Sequence, residues 1–265
     1  MADGPDALLD LARRLACEAG ALQRSRYQSQ LRIDTKSQPI DLVTEVDHAC
    51  EAHIVATLER ERPDDAVLAE EGRGEDRADA RFRWVIDPLD GTTNFAHGYP
   101  RFAVSIGVEE RGEPLLGVVY DPLLDELYHA VASRGAFRND EPLRVSTETE
   151  LARSLVATGF SYDKAVSEDD NLAEVGVALK AVRDLRRDGS AALDLCYVAA
   201  GRLDGYWEHK LKRWDVAAGG LIVREAGGRV TDRDGGESWR SGRAVVASNG
   251  AIHDALLALL ARTRV

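Results

Sequence analysis

The spacing of apolar residues predicts a helix at the start of the chain. Leu8, Leu11, Ala12, Leu15, Ala19 and Leu22 recur at three- and four-residue steps, and Asp3 with Pro5 marks the helix start. A polar loop over 33–41 follows, and its Lys36 reads as an ordinary solvated lysine. A second helix opens at Thr44, with Val46, Ile54, Val55 and Leu58 as its apolar positions. Thr44 and Asp47 have the spacing of a capping box. Two short apolar runs then end in acids. Residues 66–69 lead into Glu70-Glu71-Gly72, and Trp84-Val85-Ile86 leads into Asp87-Pro88, where proline removes a ladder donor and ends the strand. The mixed-charge segment 72–83 between them reads as a solvated loop. Side by side in one sheet, these two strands would place Glu70 beside Asp87 and Asp90.

From Phe102 the pattern changes. Strands at 103–109, 115–120, 126–130 and 135–138, separated by short turns, predict an antiparallel meander. The remainder alternates strands at 155–159, 206–208, 229–231 and 245–247 with helices at 172–182, 190–200, 216–226 and 252–262. The fold class is therefore mixed α/β, with an antiparallel sheet in residues 1–150 and a smaller mixed sheet with helices in 151–265. The two halves are expected to pack as one unit.

Composition narrows the function. A chain of 265 residues with 44 % hydrophobic content buries a sizeable core, and a net charge of −12 argues against a nucleic-acid surface. The N-terminal stretch lacks a basic and apolar leader, and no apolar run approaches the ~20 residues of a membrane span. A cytoplasmic protein without a membrane partner is expected. Cys17, Cys50 and Cys196 are widely spaced and read as reduced core thiols.

The chemistry gathers in D-P-L-D-G-T-T-N, from Asp87 to Asn94. Two carboxylates this close repel unless a cation or solvent relieves them, and Mg2+ takes carboxylate and carbonyl oxygens while leaving room for a phosphate. Gly91-Thr92-Thr93 offers backbone amides and hydroxyls to an anion. The same residues also make an ordinary surface turn. Asp47 serves equally as a helix cap or as an aimed carboxylate. Asp215, in W-D-V-A-A-G-G from Trp214, is by itself an ordinary acid at a helix N-terminus.

Taken in order, Glu70-Glu71, the Asp87–Asn94 motif and the Trp214 motif resemble the inositol monophosphatase family of Mg2+-dependent, lithium-sensitive phosphatases. D-L-V-T-E-V-D from Asp41, R-R-D-G-S-A-A-L-D-L from Arg186 and G-Y-W-E from Gly205 extend the likeness over nearly the whole chain. The resemblance implies a layered α-β-α-β-α sandwich, commonly a homodimer, that hydrolyses a phosphate monoester, myo-inositol monophosphate foremost, by a metal-activated water. It implies two or three Mg2+ ions per site, held by Glu70, Asp87, the Leu89 carbonyl, Asp90 and Asp215. Glu70, Thr92 and Asp47 would be catalytic, with Asp47 paired to Thr92 and Lys36 at the rim. Gly91, Thr92 and Thr93 would hold phosphate. Gly189, Ser190, Ala191 and Glu208 would face the alcohol. A 3′-phosphonucleotide, fructose 1,6-bisphosphate, histidinol phosphate or NADP phosphate are alternative substrates, and a non-catalytic regulatory protein is the alternative class. Lys210, Lys212 and Arg213 read as a solvated loop, or as a second anion site if they face the pocket.

Overall fold

The computed structural model describes residues 4–263. Helix α1 (Pro5–Arg26) begins on Pro5 after Gly4, while Asp3 lies outside the described residues. A small antiparallel hairpin follows, β1 (Ile33–Thr35) with β2 (Leu42–Thr44), where a polar loop was expected. Three-residue strands, the first exposed throughout, carry no alternation that a sequence pattern can reveal. Helix α2 (Glu45–Glu61) then starts from the Thr44 cap.

A seven-stranded sheet runs in chain order through β3 (Ala66–Ala69), β4 (Phe82–Asp90), β5 (Ala103–Glu110), β6 (Glu113–Asp121), β7 (Glu126–Val131), β8 (Ala136–Arg138) and β9 (Glu141–Pro142). β3 pairs parallel with β4, and the later pairs are antiparallel. Strand β4 does not stop at Asp87 as expected. Its register with β5 shifts between Asp87 and Asp90, so Pro88 and Leu89 form a bulge that tolerates the missing N–H. The buried Gln23 of α1 donates from Nε2 to the Pro88 carbonyl at 2.8 Å and holds that bulge from below.

The second half supplies β10 (Leu155–Thr158), β11 (Asp184–Arg186), β12 (Gly205–His209), β13 (Arg229–Thr231) and β14 (Ala244–Ser248), in the order β11-β10-β12-β14-β13. Pairing is parallel from β10 to β11 and β12 and antiparallel elsewhere. The remaining helices are α3 (Thr92–Ala96), α4 (Leu172–Ala178), α5 (Ala191–Ala199), α6 (Arg213–Glu225) and α7 (His253–Leu260). Helix α4 ends short of the expected Val182 because the chain turns there into β11.

Helices α1 and α2 cover one face of the large sheet. α5 and α6 fill the space between the sheets, and α4 with α7 covers the far side, giving the α-β-α-β-α sandwich. Because both faces of the large sheet are covered, β4 and β5 are buried almost throughout. Gly107 and Gly117 are register partners on β5 and β6 and open a flat seat for α6. A Cβ on Gly117 would stand 2.7 Å from the Ala218 carbonyl oxygen and 2.8 Å from its Cα. That close approach sets the height at which α6 carries Asp215 to the sheet. Cys50 and Cys196 are buried, but Cys17 is exposed on α1 and is no core thiol, since position 17 falls off the apolar stripe.

Candidate active site

The parallel pairing of β3 with β4 brings two acidic strand ends together. Ala69 is the register partner of Ile86, and the Glu70 amide donates to the Ile86 carbonyl at 3.1 Å. Just beyond, the bulge presents Asp87, Leu89 and Asp90 in succession, with the Leu89 amide donating to Asp87 Oδ1 at 3.0 Å. Asp90 is tied across to the second half of the chain: its Oδ2 accepts from the Ser190 hydroxyl at 2.6 Å and from the Ala192 amide at 2.8 Å, at the start of α5. Asp215 enters from the first turn of α6, where its Oδ2 accepts the Lys212 amide at 2.6 Å.

The four acids line one cavity of about 1170 Å³. Its walls also carry Leu89, Gly91, Thr92, Thr93, Gly189, Ala191 and Glu208. Burial pushes the Asp87 carboxyl well above the ordinary carboxylate range, and the Glu70, Asp90 and Asp215 charges push it further. Burial likewise raises Asp215 well up, again reinforced by Glu70 and Asp90. For Asp90, burial raises the carboxyl against the pull of Ser190 and the α5 amides. Among the described residues no three His, Cys, Asp or Glu side chains stand in an arrangement that could already hold a metal ion. The crowding is electrostatic, between oxygens facing one space.

A positive charge already leans on this cluster. Lys36, which its loop setting alone marks as solvated and the family resemblance puts at the rim, places its Nζ 2.8 Å from Glu70 Oε1 and 2.5 Å from Glu71 Oε1. Burial works against its charge, but the two glutamates outweigh that and raise the ammonium pKa. An all-oxygen donor set whose mutual repulsion is met by a borrowed ammonium fits a hard divalent cation such as Mg2+.

Thr92 and Asp47 lie beside the acids. The capping box is formed, Asp47 Oδ2 accepting the Thr44 amide at 2.9 Å and its hydroxyl at 2.5 Å. The other carboxyl oxygen, Oδ1, lies 2.8 Å from Thr92 Oγ1, which is also 3.1 Å from the Leu89 carbonyl oxygen. Asp47 thus caps its helix with one oxygen and reaches the site with the other. Gly91 precedes α3 at φ 95°, a conformation that favours glycine, and leaves the first-turn amides open beside Asp90.

Across the cavity, Glu208 accepts the Tyr206 hydroxyl at 2.7 Å, and burial raises its carboxyl to about 7 against that bond and the charge of Arg187. Ser190 is 1 % exposed, and its hydroxyl is spent on Asp90. Lys210 and Lys212 line the cavity. Lys210 is engaged by Asp163 at 2.8 Å, and Arg213 turns away to Glu109 at 2.7 Å. Sequence reasoning gave no role to Asn94, whose Nδ2 donates to the Arg101 carbonyl at 2.7 Å and the Asp188 carbonyl at 2.8 Å, tying the threonine turn to the second half. Its place inside the Asp87–Asn94 motif was the available signal. Gln23 and Glu51 were also missed, because each sits on a helix whose pattern shows nothing of its distant partner.

The sandwich and its carboxylate-lined cavity are those of a phosphoric monoester hydrolase. The chain belongs to the inositol monophosphatase family, whose model matches residues 5–264. It is 46 % identical over 255 residues to an inositol-1-monophosphatase of Synechocystis, covering 96 % of this chain and 89 % of that protein. It is 43 % identical to the Nus factor SuhB of Haemophilus influenzae, covering 94 % of each. The solved inositol monophosphatase of Anabaena superposes with a TM-score of 0.88 at 42 % identity, covering 97 % of this chain and 96 % of that one.

Proposed function

We propose that this phosphatase acts on myo-inositol monophosphate with Mg2+. The observation that carries the reading is the meeting of Glu70, Asp87, Asp90 and Asp215, from three distant stretches, in one cavity beside the Gly91–Thr93 turn. The carboxylates of these four and the Leu89 carbonyl would hold the cations, two or three per site. When bound, such cations neutralise charge on the transferring oxygens and acidify water.

The chain's own residues do the rest. The first-turn amides and hydroxyls of residues 91–93 receive the phosphate. Thr92 Oγ1 orients the attacking water and passes its proton to Asp47 Oδ1, whose carboxyl burial has raised. Glu70 helps to orient the same water and to take its proton. Gly189, Ala191 and Glu208 face the alcohol, with Ser190 holding Asp90 behind them. Residues 1–150 bring most of the acids and 151–265 bring Asp215 and the alcohol side. A homodimer, a cytoplasmic location and lithium sensitivity go with the reading, and among the described residues no helix is long and apolar enough to cross a membrane.

Phosphate release from inositol, sugar and nucleotide monoesters, with and without Mg2+, tests it. Release from inositol 1-phosphate above the others is expected, and Asp90→Asn should abolish it while the fold persists. Equal release from a bisphosphate or nucleotide would move the substrate assignment. A regulatory role is the second reading, favoured by relatives named Nus factor SuhB, and an inert protein across the panel would support it.

A further inference from the structure

Helix α2 carries a second buried acid, one turn beyond Asp47. Glu51 is 0 % exposed, among the core residues Cys50, Ile54 and Val55 of the same helix. Its two carboxyl oxygens both accept from backbone: Oε2 from the Glu71 amide at 2.7 Å and Oε1 from the Arg73 amide at 2.9 Å. Residues four apart on a helix share one face, so Asp47 and Glu51 point toward the same end of the sheet.

The turn they meet is the one that follows β3 and bears Glu70. It is stretched between three fixed points. The Glu70 amide is held by Ile86 of β4, the Glu71 and Arg73 amides by Glu51, and the Glu70 and Glu71 carboxylates by Lys36. Gly72 crosses the middle at φ 86°. Gly72 and Arg73 are exposed and Glu71 is half-buried, so the turn passes from the surface onto the buried Glu51 carboxylate. Burying a carboxylate is expensive, and at Glu51 these two bonds offset the cost. What the buried acid adds is a fixed location for the turn.

We propose that Glu51 is a positioning residue for the Glu70 turn, and that α2 is one bar setting both Thr92, through Asp47, and Glu70, through Glu51. The two groups keep their spacing because they hang from adjacent turns of the same rigid helix. The inference rests on Glu70 being a metal ligand, and its test is chosen to separate the two claims.

Glu51→Gln keeps the shape but replaces one acceptor by a donor, which faces an amide N–H and loses that bond. Ile54→Val trims the same helix without touching the turn and serves as the control for lost stability. Calorimetric titration with Mg2+ alone should show roughly tenfold weaker binding in Glu51→Gln, within the 10–100-fold range seen when groups supporting ligands are removed, and wild-type binding in Ile54→Val. Unchanged Mg2+ affinity in a folded Glu51→Gln protein overturns the proposal. Equal weakening in both variants also overturns it, as a general effect of stability. Hydrogen exchange on the metal-free wild type carries the test without any variant. The Glu71 and Arg73 amides should be protected well beyond those of Asp76 and Asp79, and exchange as fast as these overturns it. A wild type that binds no Mg2+ would sink the ligand role of Glu70, while the exchange rates still judge the clamp.

Discussion

Thr92 Oγ1 stands 2.8 Å from Asp47 Oδ1, although 45 positions separate the two residues. Both are buried, Asp47 fully and Thr92 to 6 % exposure, and Asp47 is already fixed at its other oxygen by Thr44. The same hydroxyl lies 3.1 Å from the Leu89 carbonyl oxygen, and Thr92 lines the cavity together with Asp87 and Asp90.

Thr92→Val keeps the shape and removes that oxygen. The expected result is a 10²–10⁴-fold fall in kcat, the usual worth of a positioned proton-transfer group, with KM changed far less. Thr92→Ser should keep most of the rate, since only the methyl group is lost. Steady-state kinetics at saturating Mg2+ check this, and a valine variant within threefold of wild type removes Thr92 from the proton path.

The seat of α6 gives a stability test. Gly117→Ala forces a Cβ to 2.7 Å from helix backbone, which cannot move aside. Gly107→Ala meets first the Ala217 Cβ at 2.9 Å. Overpacking costs about 1–3 kcal/mol and outweighs the ~0.4–1 kcal/mol gained by restricting the unfolded glycine. Gly117→Ala should therefore melt several degrees lower, with weaker activity because Asp215 rides on α6, and Gly107→Ala should lie between it and wild type. Thermal melts with rate measurements decide, and an unchanged Gly117→Ala protein would mean that α6 has slack.

What the sequence revealed follows the range of each interaction. The Thr44–Asp47 cap is local, so its spacing alone exposed it, and the acids of β4 stood out because charge at the end of an apolar run is unusual. That two consecutive strands each end in acids made their pairing the condition for Glu70 to meet Asp87 and Asp90, and β3 does pair with β4. The β1–β2 hairpin stayed hidden because its short, exposed strands show no period. The loop setting of Lys36 alone suggested solvation, the ordinary state of a loop lysine, while the family resemblance put it at the rim of the acids; in the fold its Nζ meets Glu70 and Glu71. Glu51 and Gln23 belong to the same class. Each looks like a stray polar residue on a helix until the sheet is built beneath it.

Asp87 shows what cation binding should do to stability. With its carboxyl pushed up by burial and by three neighbouring acids, the metal-free site works against folding. At a hundredfold excess over Kd, a ligand bound only to the folded state adds about 2.7 kcal/mol, or roughly 5–10 °C in Tm for a chain of this size. Asp87→Asn should lose that Mg2+-dependent rise and should melt no lower than wild type without metal, because it removes a repelling charge. Calorimetric melts with and without Mg2+ check both halves, and a full Mg2+ shift in the variant would take Asp87 out of the cation site.

The pH dependence of stability has a separate source in His253. Its ring is fully buried at the start of α7, 2.9 Å from Thr231 Oγ1 and 2.9 Å from Ser248 Oγ. Burial first, and then the Arg229 charge, lower its pKa from 6.5 to about 4, against the pull of Asp254. The folded state therefore keeps the ring neutral between pH 6.5 and 4 while the unfolded chain binds a proton, so stability rises with pH across that window. The contribution is fully present above pH 6.5 and is lost as pH falls toward 4. Each unit of depression is worth about 1.4 kcal/mol, which puts the whole effect at about 3–4 kcal/mol. The crowded acids of the active site have raised pKa values and so the opposite sign, with stability falling as pH rises through their titration. The net wild-type slope mixes the two, and the difference between wild type and His253→Gln isolates the histidine. Denaturant unfolding at pH 4.5 and pH 7 should show the two proteins closer in stability at the lower pH. A gap that stays constant between those pH values would show that His253 does not titrate on unfolding.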